Sequence, residues 1–312
     1  MYALIVHGGA GNWKKSLEAA ALEGLRQAVT AGALVLAKGG SALDAVVVVV
    51  TLLEDDPTFN AGTGSALNLV GEAEMDAGVM VGRGLKTGNV TCLKRVRNPI
   101  QVARKVMEET DHVILSGEGA LQFARLMGFP DYNPVTEQRN RDWQEKRKAL
   151  GHAKHPDLPR LSRLVRRHTE FGGGTVGAVA LDARGRLAAA TSTGGVTLKL
   201  PGRVGDSPVP GAGNYATPAG GVSATGKGEL MLRYLTAKAV CDRMGGGRTA
   251  QQAVDLVLAA MAREVGGDAG VIALDAEGRL GVGHGTPAMP HALITEAAPR
   301  VVARMRVPRR RG

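Results

Sequence analysis

Aromatic residues make up only 3% of this 312-residue chain, and cysteine is nearly absent, with Cys92 and Cys241 alone. Two cysteines cannot frame a disulfide scaffold, which fits a reducing compartment. No apolar run is long enough to cross a bilayer: the longest, "LDAVVVVVTLL" at 43–53, is about half the roughly 20 residues required and contains Asp44. The opening "MYALIVHGG" lacks the basic region of a signal peptide. A soluble, cytoplasmic protein with no membrane partner is expected.

Several chemistries lack their signatures too. His7, His112, His152, His155, His168, His284 and His291 are scattered, without metal-ligand spacing. There is no G-x-S-x-G nucleophile elbow. "GVSATGKG" at 221–228 misses the phosphate-loop pattern by one residue, because Gly228 stands where a hydroxyl should hold Mg²⁺. "GAGNYA" at 211–216 lacks the strand-loop-helix unit that would make it a dinucleotide site. Charge is unbalanced at +10, but unevenly so. Ten Lys/Arg face three Asp/Glu between Arg139 and His168, and six Arg face no acid from Arg300 onward, so the remainder is slightly acidic. Neither basic segment carries interleaved aromatics or a nucleic-acid motif. They read as solvated charge runs, and no nucleic-acid partner is expected; the non-enzymatic alternative is a polyanion-binding protein using this linker and tail.

What the chain does have is glycine, 44 residues, about twice the usual share of roughly 7%. "ALIVHGG" at 3–9 reads as a strand ending on glycines, followed by a helical pattern over 16–40. "SALDAVVVVVTLLEDD" sets a strand-like run of five valines against the Ser41/Asp44 capping box; the cap and the length predict a buried helix. A strand is expected at 73–82, helices at 99–110 and 118–128, then a long basic linker over 131–170. Beyond it "AVALDARGRLAAA" (178–190) and "VIALDAEGRLGVG" (271–283) echo one another as two hairpins, with helices at 229–244 and 249–265 between them. Blocks of strands and blocks of helices predict segregated layers, with helices outside two stacked antiparallel sheets.

The sharpest change of character is "EFGGGTVGAVALD" at 170–182, where three glycines meet Thr175 at the head of an apolar strand. Glycine is the most mobile residue and Thr and Val favour the pleated sheet. A hydroxyl nucleophile without a His partner can use an N-terminal amine as base. Cutting Gly174–Thr175 would make Thr175 such a residue: its hydroxyl attacks the Gly174 carbonyl, the acyl group moves from N to O, and ester hydrolysis frees an amine with a pKa near 8. A Gly-Thr pair is common, so the residues alone leave an ordinary loop-to-strand joint open as well.

Seven motifs in order add to this: "HGGAG" (7–11), "GGSALDAV" (40–47), "LEDDPTFNAGTGSALN" (53–68), "GTVGAVALD" (174–182), "TSTGG" (191–195), "PGRVGDSP" (201–208) and "SATGKGE" (223–229). Together the chain resembles the plant-type asparaginase / isoaspartyl peptidase family of N-terminal nucleophile hydrolases over nearly its whole length, apart from 131–170 and the last dozen residues. The resemblance implies an αββα sandwich made as a precursor. It would be cut into an α chain (1–174, with 131–174 a flexible linker) and a β chain (175–312, with 300–312 a basic tail). Thr175 would be the nucleophile and Thr193 its orienting partner. Arg203 and Asp206 would grip the α-carboxylate and α-amine of an aspartyl group, and Thr225 with Gly226 would form the oxyanion hole. Asn60 would support the site, Gly8, Gly9 and Gly11 would let the first strand end beside it, and Lys227 stands at a variable position. The implied substrates are L-asparagine and β-aspartyl dipeptides, the assembly two αβ units, and no cofactor is required. A sodium ion held by backbone carbonyls of the 53–63 loop also follows from the resemblance. A glycosylasparaginase or a threonine aspartase are the alternatives within the fold.

Overall fold

The computed structural model describes residues 1–149, 174–266 and 269–307. Its strands are β1 (Ala3–His7), β2 (Met75–Val81), β3 (Thr87–Leu93), β4 (Ile114–Ser116), β5 (Val176–Leu181), β6 (Leu187–Thr193), β7 (Asn214–Thr217), β8 (Gly220–Gly226), β9 (Ala269–Asp275), β10 (Leu280–His284), β11 (His291–Thr295) and β12 (Ala298–Arg304). They form an eight-stranded sheet, β12-β11-β1-β5-β6-β2-β3-β4, and a four-stranded sheet, β10-β9-β8-β7. Neighbours are antiparallel except β3 and β4. Helices α1 (Glu18–Ala37), α2 (Ala42–Asp55), α3 (Pro99–Glu109) and α4 (Gly117–Leu126) cover the outer face of the large sheet. After α5 (Glu137–Ala149), helices α6 (Gly228–Tyr234), α7 (Thr236–Gly245) and α8 (Ala250–Glu264) cover the small one. Ile5, Val179, Leu187, Ile272 and Leu274 fill the space between the sheets, so the expected αββα layering is what forms.

The valine run is helical because burial outweighs propensity. Valine in a helix costs a few tenths to about 0.7 kcal/mol against alanine, whereas burying each side chain contributes about 1.5–3 kcal/mol. Val46, Val49 and Val50 are wholly buried against the large sheet. The Ser41 hydroxyl accepts the Asp44 N–H at 3.1 Å and Asp44 returns to the Ser41 N–H at 3.3 Å, which closes the first turn.

The two echoing hairpins share a device. Asp182 accepts the N–H groups of Arg184 and Arg186 across its turn, and Asp275 does the same for Glu277 and Arg279. Each carboxylate then reaches the first N–H of a helix, Ala42 of α2 or Ala250 of α8, both at 3.1 Å. An anion at a helix N-terminus is favourable, so each hairpin anchors the helix that covers its own sheet.

Three expectations need correction. The basic stretch read as a linker contains α5, whose Trp143 indole N–H bonds the Asn68 carbonyl and whose Arg139 bonds the Gly64 and Phe59 carbonyls. The helix was hidden because its anchors are lone side chains on a polar surface; of the 131–170 reading, 131–136 lead into the helix and 150–170 lie outside the described residues. The helix expected at 229–244 breaks at Leu235, which is left-handed with φ 53°, giving α6 and α7. The basic tail begins inside β12, where Arg300 and Arg304 lie on an edge strand, and charges on an edge discourage further pairing. Residues 308–312 lie outside the described residues.

Candidate active site

Side chains on a strand alternate between faces. On β5, Val176, Ala178 and Ala180 face α2 while Val179 and Leu181 face the second sheet; on β6, Ala188 and Ala190 face outward and Leu187 and Ala189 inward. The same parity turns Thr175, Thr191 and Thr193 towards the inter-sheet space. On β8, Val222 and Ala224 pack on the helices, so Ser223 and Thr225 also face inward. Val176 pairs with Ser192, which places Thr175 across from Thr193. The Thr175 hydroxyl donates to the Thr193 hydroxyl at 3.2 Å, and Thr193 also accepts the Gly195 N–H at 3.0 Å. Thr225 accepts the Ala10 N–H at 3.1 Å, which leaves its own proton for another acceptor.

A narrow cleft joins Gly174, Thr175, Thr193, Thr225 and Gly226 to Arg203 and Asp206. Asn60 stands behind it rather than in it. Its amide donates to the Gly195 carbonyl at 2.7 Å and accepts the Ala66 N–H at 2.6 Å, so it holds the turn after Thr193. Gly9 explains part of "HGGAG": with φ 106°, an added Cβ would lie 2.6 Å from the Gly174 Cα, so only glycine lets the first strand's end abut the Gly174–Thr175 bond.

Arg203 is fixed by a residue that the sequence reading left unassigned. Its Nε and Nη2 both meet Glu229 Oε1, at 2.9 and 2.8 Å. Nη1 stays on the side of Gly195 and Gly205, where an added Cβ would come within 3.4 and 2.9 Å of it. Asp206 is buried, and its Oδ2 has no hydrogen-bond partner among the described residues. Burial pushes its carboxyl up to about 7, opposed by the Arg203 charge. Gly228, the residue that spoiled the phosphate-loop pattern, is needed here: a Cβ would sit 2.8 Å from Arg203 Nη2 and 2.9 Å from Asp206 Oδ1. Behind this pair Asp76 accepts the Gly205 N–H at 3.1 Å, and buried Lys199 donates to the Glu74 carbonyl at 2.6 Å. Burial raises Asp76 while Lys199 opposes the rise.

Two more buried groups escaped the sequence reading. One layer below the threonines, His7 Nε2 lies 3.0 Å from the Ser223 hydroxyl, which lies 2.7 Å from Thr191. Burial drives the His7 imidazole down to about 3, so it stays neutral. A lone histidine at a strand end gives little signal by itself; the period-two spacing of Thr191 and Thr193, and of Ser223 and Thr225, could have placed its partners. On the other face of β6, Ser192 donates to Glu54 Oε1 at 2.6 Å, which also accepts the Ile100 N–H at 3.0 Å. Burial pushes the Glu54 carboxyl up to about 8. Glu54 therefore ties α2 and α3 to the strand that ends at Thr193.

Its linkage to stability is directional. A carboxyl held protonated in the fold and ionised above about 4.5 when unfolded stabilises fully below 4.5 and loses that contribution as pH rises towards 8. Glu54→Gln keeps the shape without the charge. Its unfolding free energy should fall less between pH 5 and 8 than the parent's; parallel curves from denaturant titrations would refute this.

A family profile described as asparaginase matches residues 1–303. The plant-type L-asparaginase of Pyrococcus abyssi is 47% identical over 298 residues, covering 95% of this chain and 97% of that protein. The isoaspartyl peptidase/L-asparaginase of Danio rerio is 43% identical over 279 residues, covering 88% and 86%. That of Mus musculus is 44% identical over 280 residues, covering 88% and 82%.

Proposed function

This chain belongs to the asparaginase family and is a hydrolase, and from that premise we propose that it deaminates L-asparagine and cleaves β-aspartyl dipeptides with Thr175 as nucleophile. The observation that carries the reading is the Thr175 hydroxyl on Thr193, in one cleft with Arg203 and Asp206.

Before cleavage Thr175 has an amide nitrogen and no free amine; Thr193 accepts its hydroxyl hydrogen bond and orients the oxygen, and the hydroxyl proton ends on the scissile nitrogen. The Thr175 oxygen adds to the Gly174 carbonyl carbon, the C–N bond breaks as the proton reaches nitrogen, and water hydrolyses the ester. Products are an α chain ending at Gly174 and a β chain with a Thr175 amine, whose ordinary pKa near 8 suits a general base. In turnover that amine accepts the hydroxyl proton while the oxygen attacks the substrate's side-chain carbonyl. Thr225 Oγ–H and Gly226 N–H receive the developing negative charge. Ammonia, or the amine of the released amino acid, leaves with the proton. Water then splits the β-aspartyl-Thr175 ester into aspartate and free enzyme.

Substrate grip divides by charge. Arg203 keeps one guanidinium edge on Glu229 and turns Nη1 to the α-carboxylate; Asp206 meets the α-ammonium. A sodium ion in the 53–63 loop and an assembly of two αβ units belong to the same reading. The Glu54, Asp56 and Phe59 carbonyls each accept one N–H bond and keep a second lone pair for a hard cation. No step passes through that ion. Purified protein should release ammonia from L-asparagine and leucine from β-aspartyl-leucine; background rates on both would overturn the reading.

A further inference from the structure

A second, open cleft meets the first at Gly174. Its lining includes Asn60, Trp13, Lys14 and Arg139. Trp13 is held from two sides: its indole N–H bonds the Gly9 carbonyl at 2.9 Å, and its ring meets Phe59 edge-on at 6.1 Å. Arg139 is anchored through backbone carbonyls, Nε on Gly64 and Nη2 on Phe59. Among the described residues neither Lys14 nor Arg139 has a salt-bridge partner. Asp142 and Glu145 of α5 also line the cleft, and Asp142 accepts the Gln138 amide at 3.0 Å.

Lys14, with no carboxylate partner among the described residues, and Arg139, bonded to backbone carbonyls and opposed in charge only by nearby Asp142, stand in a cleft that begins where the acyl carbon must sit and point to an anionic end on the leaving group. We infer that this cleft receives the amino acid released from a β-aspartyl dipeptide, with its α-carboxylate between Lys14 and Arg139. The inference rests on the proposed reaction: the aspartyl half occupies the Arg203–Asp206 side, and the leaving half extends past Asn60. Gly174 lines both clefts, so self-cleavage that frees the Gly174 end joins them into one passage. Asparagine loses only ammonia and leaves the second cleft unused. Asp142 and Glu145 disfavour an acidic side chain on the leaving residue.

The test compares kcat/KM for L-asparagine, β-aspartyl-leucine and β-aspartyl-leucinamide in the parent enzyme and in Lys14→Glu. Lys14 is exposed, so the charge reversal is expected to lower the β-aspartyl-leucine value about three- to tenfold relative to L-asparagine, the scale of an exposed ion pair lost and inverted. The leucinamide, which lacks the carboxylate, should move with L-asparagine. If all three substrates keep their parental ratios while L-asparagine is turned over, the subsite is wrong and the active-site reading stands. If the parent enzyme acts on none of them, the active-site reading fails and takes the subsite with it.

Discussion

Thr175→Ala should yield a single uncut chain of 32.4 kDa with essentially no hydrolysis of L-asparagine, whereas the parent protein is expected to yield fragments 1–174 and 175–312. On the proposed mechanism the substitution removes the oxygen that attacks Gly174 and the same oxygen that forms the acyl-enzyme. Losing a nucleophile that acts as a unit with its base costs on the order of 10⁴-fold or more in kcat. Folding should survive, because Thr175 is a small buried residue before β5 whose hydroxyl makes one bond, to Thr193. Thr175→Ser keeps the oxygen and should still be cut. Intact-mass analysis decides the matter: a fully active enzyme that remains one polypeptide would sink the mechanism.

Asp206→Asn should fold normally and lose about 30-fold to several thousand-fold in kcat/KM for L-asparagine. The range follows from 2–5 kcal/mol for leaving one charge of a buried pair without its partner, at 1.4 kcal/mol per tenfold. Folding is spared because Asp206 Oδ2 makes no hydrogen bond to the described residues, so an isosteric amide removes no such bond from that atom. The pH dependence has a defined sign. Asp206 sits near 7 in the free fold and must be ionised to meet an ammonium. The parent's kcat/KM, which reports the free enzyme, therefore falls as pH drops through about 7. Bound substrate places its ammonium against the carboxylate, so the corresponding limb in kcat should lie lower. In Asp206→Asn this limb disappears and only the Thr175 amine, ordinarily near 8, limits the acid side. A variant whose kcat/KM profile retains the limb near 7 would remove Asp206 from substrate binding.

Much of this protein is legible before any coordinates. The change of character at "GGGT" marks Thr175 at the head of a strand, and the Ser41/Asp44 box ends the contest between strand and helix over the valine run. The repeated Leu-Asp-Ala-x-Gly-Arg-Leu marks two hairpins of the same build. These are local signals, because neighbours in sequence decide backbone conformation and capping. The α5 helix escaped because its attachments, Trp143 to Asn68 and Arg139 to Gly64, join residues about 75 positions apart and leave no periodic apolar trace.

By itself, then, the sequence determined the first strand, the capped valine helix, the two echoing hairpins, the layered class and the odd joint at Gly174–Thr175. Only the tertiary structure decided that strands far apart in the chain stack so that Thr175, Thr193 and Thr225 share one cleft with Arg203 and Asp206. It also decided the electrostatics: Glu229 holds one edge of Arg203, and burial places Asp206 near 7, His7 near 3 and Glu54 near 8. Desolvation depends on everything packed around a group, and that packing is assembled from segments that no local pattern relates.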